Sequence, residues 1–244
     1  MMQRVRRFYE NTPGQKAVVA VTGIILFGFV LSHMAGNLKS FLGFEVDGRH
    51  AIDHYAEGLR TLGEPLLPHG LVLWGSRAVL FCAFVLHIVT VIRLTKRNRR
   101  ARALPYVGQR EPATNLASRS MLATGIFLAG FVVFHVLHFT TGTIRMGSFE
   151  HGKVYANLYH SFQGGLAAFL YLLATAALGL HLFHGVWSLF QTLGLDHPDR
   201  NATLRKFAIG AAVLIAVGFV AVPLLFFVGA LGEPTGAAAH VKDW

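Results

Sequence analysis

The sequence predicts an all-α membrane protein, a five-transmembrane-helix bundle with its N-terminus inside and its C-terminus outside. Three observations lead there. Of the 244 residues, 53% are hydrophobic and only 14% are charged, against about 25% charged in a soluble domain. Five apolar runs are each long enough for the roughly 20 helical residues that cross a bilayer core of about 30 Å. The basic residues collect in alternate connections between those runs.

Residues 17–40 give the first helix, with no Asp, Glu, Lys or Arg before Lys39. Residues 66–94 give the second, with Arg77 near one end and Arg93 near the other. Residues 120–144 give an uncharged third, and 164–190 are the apolar part of an uncharged stretch that yields the fourth. Residues 207–231 give the fifth, which contains Pro223; a membrane helix tolerates such a proline as a kink. The chain reads as a single membrane domain over residues 1–244, with no soluble domain and no internal repeat. A small, Ala-rich tail after Glu233 is expected to be disordered. The polar, basic start up to Lys16 and the length of the first run argue against a cleavable signal peptide.

Orientation follows from Lys and Arg in the connections. Arg4, Arg6, Arg7 and Lys16 precede the first span. Arg93, Lys96, Arg97, Arg99, Arg100, Arg102, Arg110 and Arg119 lie between the second and third, and Arg200, Arg205 and Lys206 between the fourth and fifth. The opposite connections hold Lys39, Arg49, Arg60, Arg145 and Lys153. The basic side is the inside. The net charge of +10 would suggest nucleic acid in a soluble protein; here topology accounts for it, and no nucleic-acid partner is expected. Cys82 is the one cysteine, which excludes an internal disulfide, a four-cysteine iron–sulfur site and covalent haem attachment through paired cysteines.

Histidines carry the chemistry. His33, His87, His135, His138, His181 and His184 fall inside the first four spans, and the fifth has none. Ionisable groups at membrane depth are costly and mark functional sites. Counted from the inner ends at 1.5 Å per residue, His33 lies about 26 Å up and His135 about 24 Å up, whereas His87 lies about 9 Å from the inner face. His181 falls in the inner half of its helix. Two pairs result, His33 with His135 toward the outside and His87 with His181 toward the inside, about 15 Å apart along the membrane normal. Such pairs suit two b-type haems, each iron with two imidazoles and no open position. Spacing leaves two alternatives open: His135 and His138 share a face, as do His181 and His184, and depth alone favours His184. Gly23, Gly28, Gly36, Gly125, Gly130, Gly179 and Gly185 flank these positions and would let a flat macrocycle or another helix approach the backbone.

The stretch Ser32-His33-Met34-Ala35-Gly36-Asn37-Leu38, followed by Phe41-Leu42-Gly43, resembles the first-helix signature of the cytochrome b subunit of succinate dehydrogenases and fumarate reductases, of the single-chain, five-helix, dihaem type. His181-Leu182-Phe183-His184-Gly185-Val186-Trp187-Ser188, running on to Phe190-Gln191-Thr192-Leu193-Gly194, is similar to that family's fourth-helix motif. The resemblance spans about residues 14–230. It implies one haem ligand from each of the first four helices, His33, His87, His135 and His181. It also implies a membrane anchor, in the bacterial cytoplasmic membrane, for a flavoprotein subunit carrying FAD and an iron–sulfur subunit on the inner side. Electrons from succinate would pass through two haems b to a membrane quinone, menaquinone or ubiquinone, with fumarate reduction the reverse path. The dicarboxylate chemistry would lie on another subunit, since the chain has no strand–Gly-rich turn–helix unit for a flavin.

Quinone reduction needs protons, and the spans hold no Asp or Glu. The outer connection between the first two spans holds Glu45, Asp47, Asp53, Glu57 and Glu64, and the spacing of Ile52, Tyr55, Ala56 and Leu59 suits a short interfacial helix. The resemblance places an acidic quinone-site residue here, with Glu57 the first match and Asp53 the second. For haem propionates, Arg77 lies toward the outer level and Thr22, Arg93 and Arg119 toward the inner; each arginine is equally explicable as an interfacial anchor. Two other readings compete: the dihaem quinol-oxidising anchor of another respiratory enzyme, and a haem-free proton-coupled transporter. Transporters usually carry repeats or broken helices, and neither is visible in the sequence.

Overall fold

The structure is a computed structural model describing residue 3 and residues 8–45, 47–101 and 116–234, with side chains excepted at 116–119. Arg119 as a haem-facing group, the basic residues Arg4, Arg6, Arg7, Arg102 and Arg110, and the tail from residue 235 on lie outside the described residues. Seven α-helices are described: α1 Thr12–Asn37, α2 Ala51–Thr61, α3 Leu71–Ala101, α4 Leu116–His135, α5 Val154–Phe162, α6 Gly165–Thr192 and α7 Pro198–Phe227. Among the described residues there is no strand, only one antiparallel bridge between Phe44 and His50. Five stretches are long and apolar enough to cross a membrane: Thr12–Phe41, Leu71–Ala101, Ser120–Thr140, Gly165–Thr192 and Pro198–Phe227, with mean hydropathy from 2.0 to 2.6. The protein is an all-helical, multi-pass membrane protein.

Helix ends depart from the sequence reading where capping, not hydropathy, decides them. Asn11 caps α1 by accepting from the Gly14 N–H at 2.7 Å, with Pro13 in the first turn. Residue 14 must be glycine, since a Cβ there would run into the Phe8 carbonyl. The second span starts at Leu71 rather than 66 because Pro68 and the positive-φ Gly70 occupy the approach. The fifth starts well before 207, where the His197 ring accepts from the Asp199 N–H at 3.3 Å and Pro198 takes the first turn. That polar first turn is helical by its cap and lies outside any apolar window.

α1 packs along α3, α4 along α6, and α6 along α7, while α1 also touches α6 and α7. α1 and α4 make no such extended contact. The connections from α1 to α3 and from α4 to α6 lie at one end of the bundle, where α2 and α5 pack on each other. A core of Ile52, Tyr155, Leu158, Phe162, Ala167, Ala168, Val222 and Phe226 gathers there. Tyr55 of α2 presses its ring on Gly36 at the end of α1; a Cβ on Gly36 would stand 2.6 Å from that ring. At the opposite, basic end, the Tyr9 hydroxyl meets Thr90 at 3.0 Å and Arg97 donates to the Glu10 carbonyl at 2.7 Å, tying α1 to the end of α3. Midway, Ile24, Phe81, Ile126 and Val217 face outward, as expected where lipid is the solvent.

Candidate functional site

His33 of α1 and His135 of α4 face each other with ring centres 5.7 Å apart and planes at 75°. Two imidazoles sharing one metal, at about 2 Å per metal–nitrogen bond, would bring their ring centres to about 6 Å. Each ring lies against a phenylalanine one turn earlier: Phe29 on His33 at 5.3 Å and 11°, Phe131 on His135 at 6.1 Å and 27°. The Asn37 amide nitrogen stands 3.4 Å from His33 Nε2, a long contact.

Eleven residues below, about 16 Å along each helix, Thr22 of α1 and Thr124 of α4 stand beside His87 and His181. The Thr22 hydroxyl donates to the Val18 carbonyl at 2.7 Å. A hydroxyl has one proton, so toward His87 Nδ1, 3.1 Å away, Thr22 is the acceptor. Thr124 likewise donates to the Ser120 carbonyl at 2.9 Å and accepts from His181 Nδ1 at 3.4 Å. Both rings are thereby held as Nδ1–H tautomers with the Nε2 lone pair free. A second partner that fixes the tautomer in this way is a regular feature of metal-binding histidines. His181 also lies within electrostatic range of His87. It is His181, not His184, that takes Thr124.

These parallels have a source in the sequence. Thr22-Gly23-Ile24, Leu26, Gly28-Phe29-Val30 and His33 on α1 recur at the same intervals on α4 as Thr124-Gly125-Ile126, Leu128, Gly130-Phe131-Val132 and His135, eight identities in twelve positions. The correspondence is confined to these twelve positions of α1 and α4; aligned on His87 and His181, α3 and α6 share only Ala83 with Ala177, Leu86 with Leu180 and the histidine. Both hairpins, α1–α3 and α4–α6, start from the basic end. The short match escaped the reading of no internal repeat because its identities are interrupted and sit in runs whose apolar composition is similar throughout.

The space between the hairpins suits a planar group. His33, His87, His135 and His181 all keep accessible surface although they lie inside the bundle. A Cβ on Gly28 or Gly130, at equivalent positions between the two levels, would meet nothing within 4 Å. On Gly23 it would stand 3.7 Å from His87, and on Gly125 3.3 Å from His181, so these two glycines set how close the backbone comes to each imidazole. Among the described residues no three His, Cys, Asp or Glu side chains converge on a metal; the donors come in pairs. The facing imidazoles of His33 and His135, the free Nε2 lone pairs of His87 and His181 and the glycine-bounded space fit a haem at each level.

The halves differ beyond His135. There α4 passes into a single π turn, Val136–Thr140, which brings His138 beside His135. The Tyr171 hydroxyl of α6 lies 3.1 Å from His135 Nδ1 and 3.0 Å from His138 Nδ1. His138 is buried, with Nε2 lacking any partner.

The remaining candidate residues lie around this frame. Asp53 accepts from the Tyr155 N–H at 3.0 Å and so caps α5. Glu57, on the same short helix, is half exposed and 3.6 Å from Arg60. Arg77 is exposed and stacked over Trp74 at 4.7 Å, and Arg93 is exposed over Tyr9 at 5.2 Å, so each has an aromatic partner at its own end of the bundle. Thr124 and Tyr171 were not singled out from the sequence. The duplicated Thr-Gly-Ile would have pointed to Thr124 as the counterpart of Thr22; no local signal marks Tyr171.

Comparison with curated proteins and with solved structures finds no match. The family model described as succinate dehydrogenase/fumarate reductase transmembrane subunit matches residues 95–224, more than half the chain, from the end of α3 into α7 and including His135 and His181. By that match the chain belongs to the succinate dehydrogenase/fumarate reductase transmembrane subunit family.

Proposed function

We propose that the chain is the dihaem cytochrome b anchor of a succinate:quinone oxidoreductase, exchanging electrons with an iron–sulfur subunit beside a flavoprotein and with a quinone in the membrane. What carries this reading is His33 facing His135, with His87 and His181 held by matching threonines one level away. When bound, the two haems b supply one-electron steps between the iron–sulfur partner and the quinone. The chain's own residues prepare the sites. Thr22 and Thr124 hold His87 and His181 with Nε2 free. Phe29 and Phe131 brace the other pair. With two imidazoles to hold each haem, the sites would suit electron transfer rather than oxygen binding.

Glu57 is the proposed proton-exchanging group beside the quinone, since it lies at the α2 end of the bundle without the capping duty that occupies Asp53. The excess of Lys and Arg at the opposite end supports an N-terminus inside a bacterial cytoplasmic membrane, with the soluble subunits docked on that face. Dicarboxylate chemistry would take place on the flavoprotein.

The test is purification of the complex from native membranes, identification of the subunits that accompany the chain, and a haem-to-chain ratio. Two haems per chain, falling to one in His33→Ala and one in His87→Ala, is the expected result. A wild-type ratio of one or none, or both variants retaining two, would overturn the pairing.

A further inference from the structure

We infer that His138 offers an Nε2–H donor to an acceptor oxygen beside the His33–His135 level, and that Tyr171 is the positioning residue that makes it so. The inference rests on the reading of His135 as a metal ligand. It follows from proton counting at one hydroxyl. Tyr171 has a single O–H proton and stands within hydrogen-bond distance of two Nδ1 atoms, His135 at 3.1 Å and His138 at 3.0 Å. With both bonds made and both imidazoles neutral, one ring donates to the phenol oxygen from Nδ1–H and the other accepts the phenol proton at Nδ1. The ring that donates keeps its Nε2 lone pair. The ring that accepts carries its proton on Nε2. One hydroxyl thus makes the two imidazoles opposite in character: a single ring is ready to bind a metal, and the other is a donor.

Which ring is which follows from their surroundings. His135 faces His33 and retains accessible surface, as a ligand with room for a metal requires. His138 is 2% exposed, and its Nε2 is buried with no partner. A buried N–H without an acceptor is costly, so the atom calls for an oxygen that the described residues do not supply. Two such oxygens belong to this end of the bundle under the proposed function, a quinone carbonyl and a haem propionate carboxylate. They share the chemistry that would accept from Nε2–H.

Comparison of the two hairpins adds an independent argument. Three residues beyond the histidine, His138 in the π turn after α4 stands where Gly36 does on α1; ten residues before the histidine, Tyr171 on α6 stands where Arg77 does on α3. Neither Gly36 nor Arg77 can make the same network, and Gly36 is instead occupied by Tyr55. The device belongs to one half only, at the π turn that interrupts α4, and such turns recur at functional sites.

The test uses the whole complex in native membranes with Tyr171→Phe, His138→Phe, His138→Gln and His135→Ala. Tyr171→Phe keeps the ring contacts to Phe131, Phe139 and Phe162 and removes only the hydroxyl. The expected result is two haems per chain in the Tyr171 and His138 variants, with the midpoint potential of one haem moved in Tyr171→Phe and the other unchanged. A propionate acceptor predicts the same one-haem shift in His138→Phe with KM for a short-chain quinone unchanged. A quinone acceptor predicts a KM raised at least tenfold with both potentials unchanged. In either case His138→Gln, which keeps an N–H donor, restores much of the effect. If His138→Phe alters neither quantity, or if it loses a haem that His135→Ala retains, the inference is overturned. A wild-type complex without two haems would instead overturn the proposed function.

Discussion

Replacing Thr22 or Thr124 by valine tests the level of His87 and His181 without changing its shape. Valine fills the space of threonine and removes the oxygen that receives Nδ1–H from His87 at 3.1 Å or from His181 at 3.4 Å. A neutral hydrogen bond is worth about 0.5–1.5 kcal/mol. If the whole of that difference fell on the oxidised state of a one-electron centre, it would correspond to about 20–65 mV. The sign follows from basicity: a hydrogen bond at Nδ1 makes Nε2 a stronger donor and favours the ferric iron, so losing the bond raises the potential. The shorter Thr22 contact should give the larger shift, and the Thr124 contact one near the lower bound. A tenfold or greater loss of haem affinity should accompany it. The assay is an optical redox titration of the purified complex with both haems resolved. Equal shifts of both haems, a shift confined to the haem held by His33 and His135, or no shift in either variant would refute the tautomer argument.

Other perturbations separate structural from chemical roles in the same region. Glu57→Gln should abolish quinone turnover with both haem spectra intact, and full turnover in that variant would dismiss Glu57. Asp53→Ala should instead lower the thermal midpoint by removing the α5 cap at Tyr155, a loss of about 1 kcal/mol; an unchanged midpoint would show that the cap carries no stability. Gly36→Ala forces a methyl to within 2.6 Å of the Tyr55 ring and should cost about 1–3 kcal/mol, read by thermal unfolding. Gly218→Ala meets only the flexible end of Met34 and should cost less. His50 is buried and stacked on Tyr155 at 3.8 Å. Burial holds its imidazole below the ordinary value, against the opposing pull of Asp53. Its contribution to stability is therefore present above about pH 6.5 and is lost as pH falls toward the lowered folded value. Thermal unfolding in detergent between pH 7.5 and 5.5 should show that loss, and His50→Gln should flatten it.

What was legible in the sequence divides along physical lines. The spans could be read because lipid demands about 20 apolar residues per crossing, a constraint that acts locally. Their ends could not, because Pro198, Pro68 and the Asn11 and His197 caps set them. The α5 helix was hidden in the uncharged stretch that also holds α6. The histidine levels came from a count of residues along straight helices, which the second level on α1 and α4 repeats at eleven residues. On helix four, Thr124 lies beside His181, a neighbour that no one-dimensional count brings into view. Tyr171 is further still from the sequence, since its meaning depends on a π turn on a different helix.

The short match between α1 and α4 also bears on the competing transporter reading. What weighs is its direction. α1–α3 and α4–α6 both start from the basic end, so residues at matching positions stand at matching heights. An inverted repeat, common among transporters, would carry matching residues to opposite heights. In a parallel repeat whose halves face each other, one histidine per helix becomes a facing pair at one level, and two histidines per hairpin become two such pairs, with no further coincidence needed. His33 and His135 face each other in this way, each backed by a phenylalanine, and His87 and His181, each beside a threonine, are proposed as the second pair. Two like donors converging from opposite sides would suit a metal held by two imidazoles. A proton relay has no need of them at equal heights, and the family match is to a transmembrane subunit of succinate dehydrogenase/fumarate reductase.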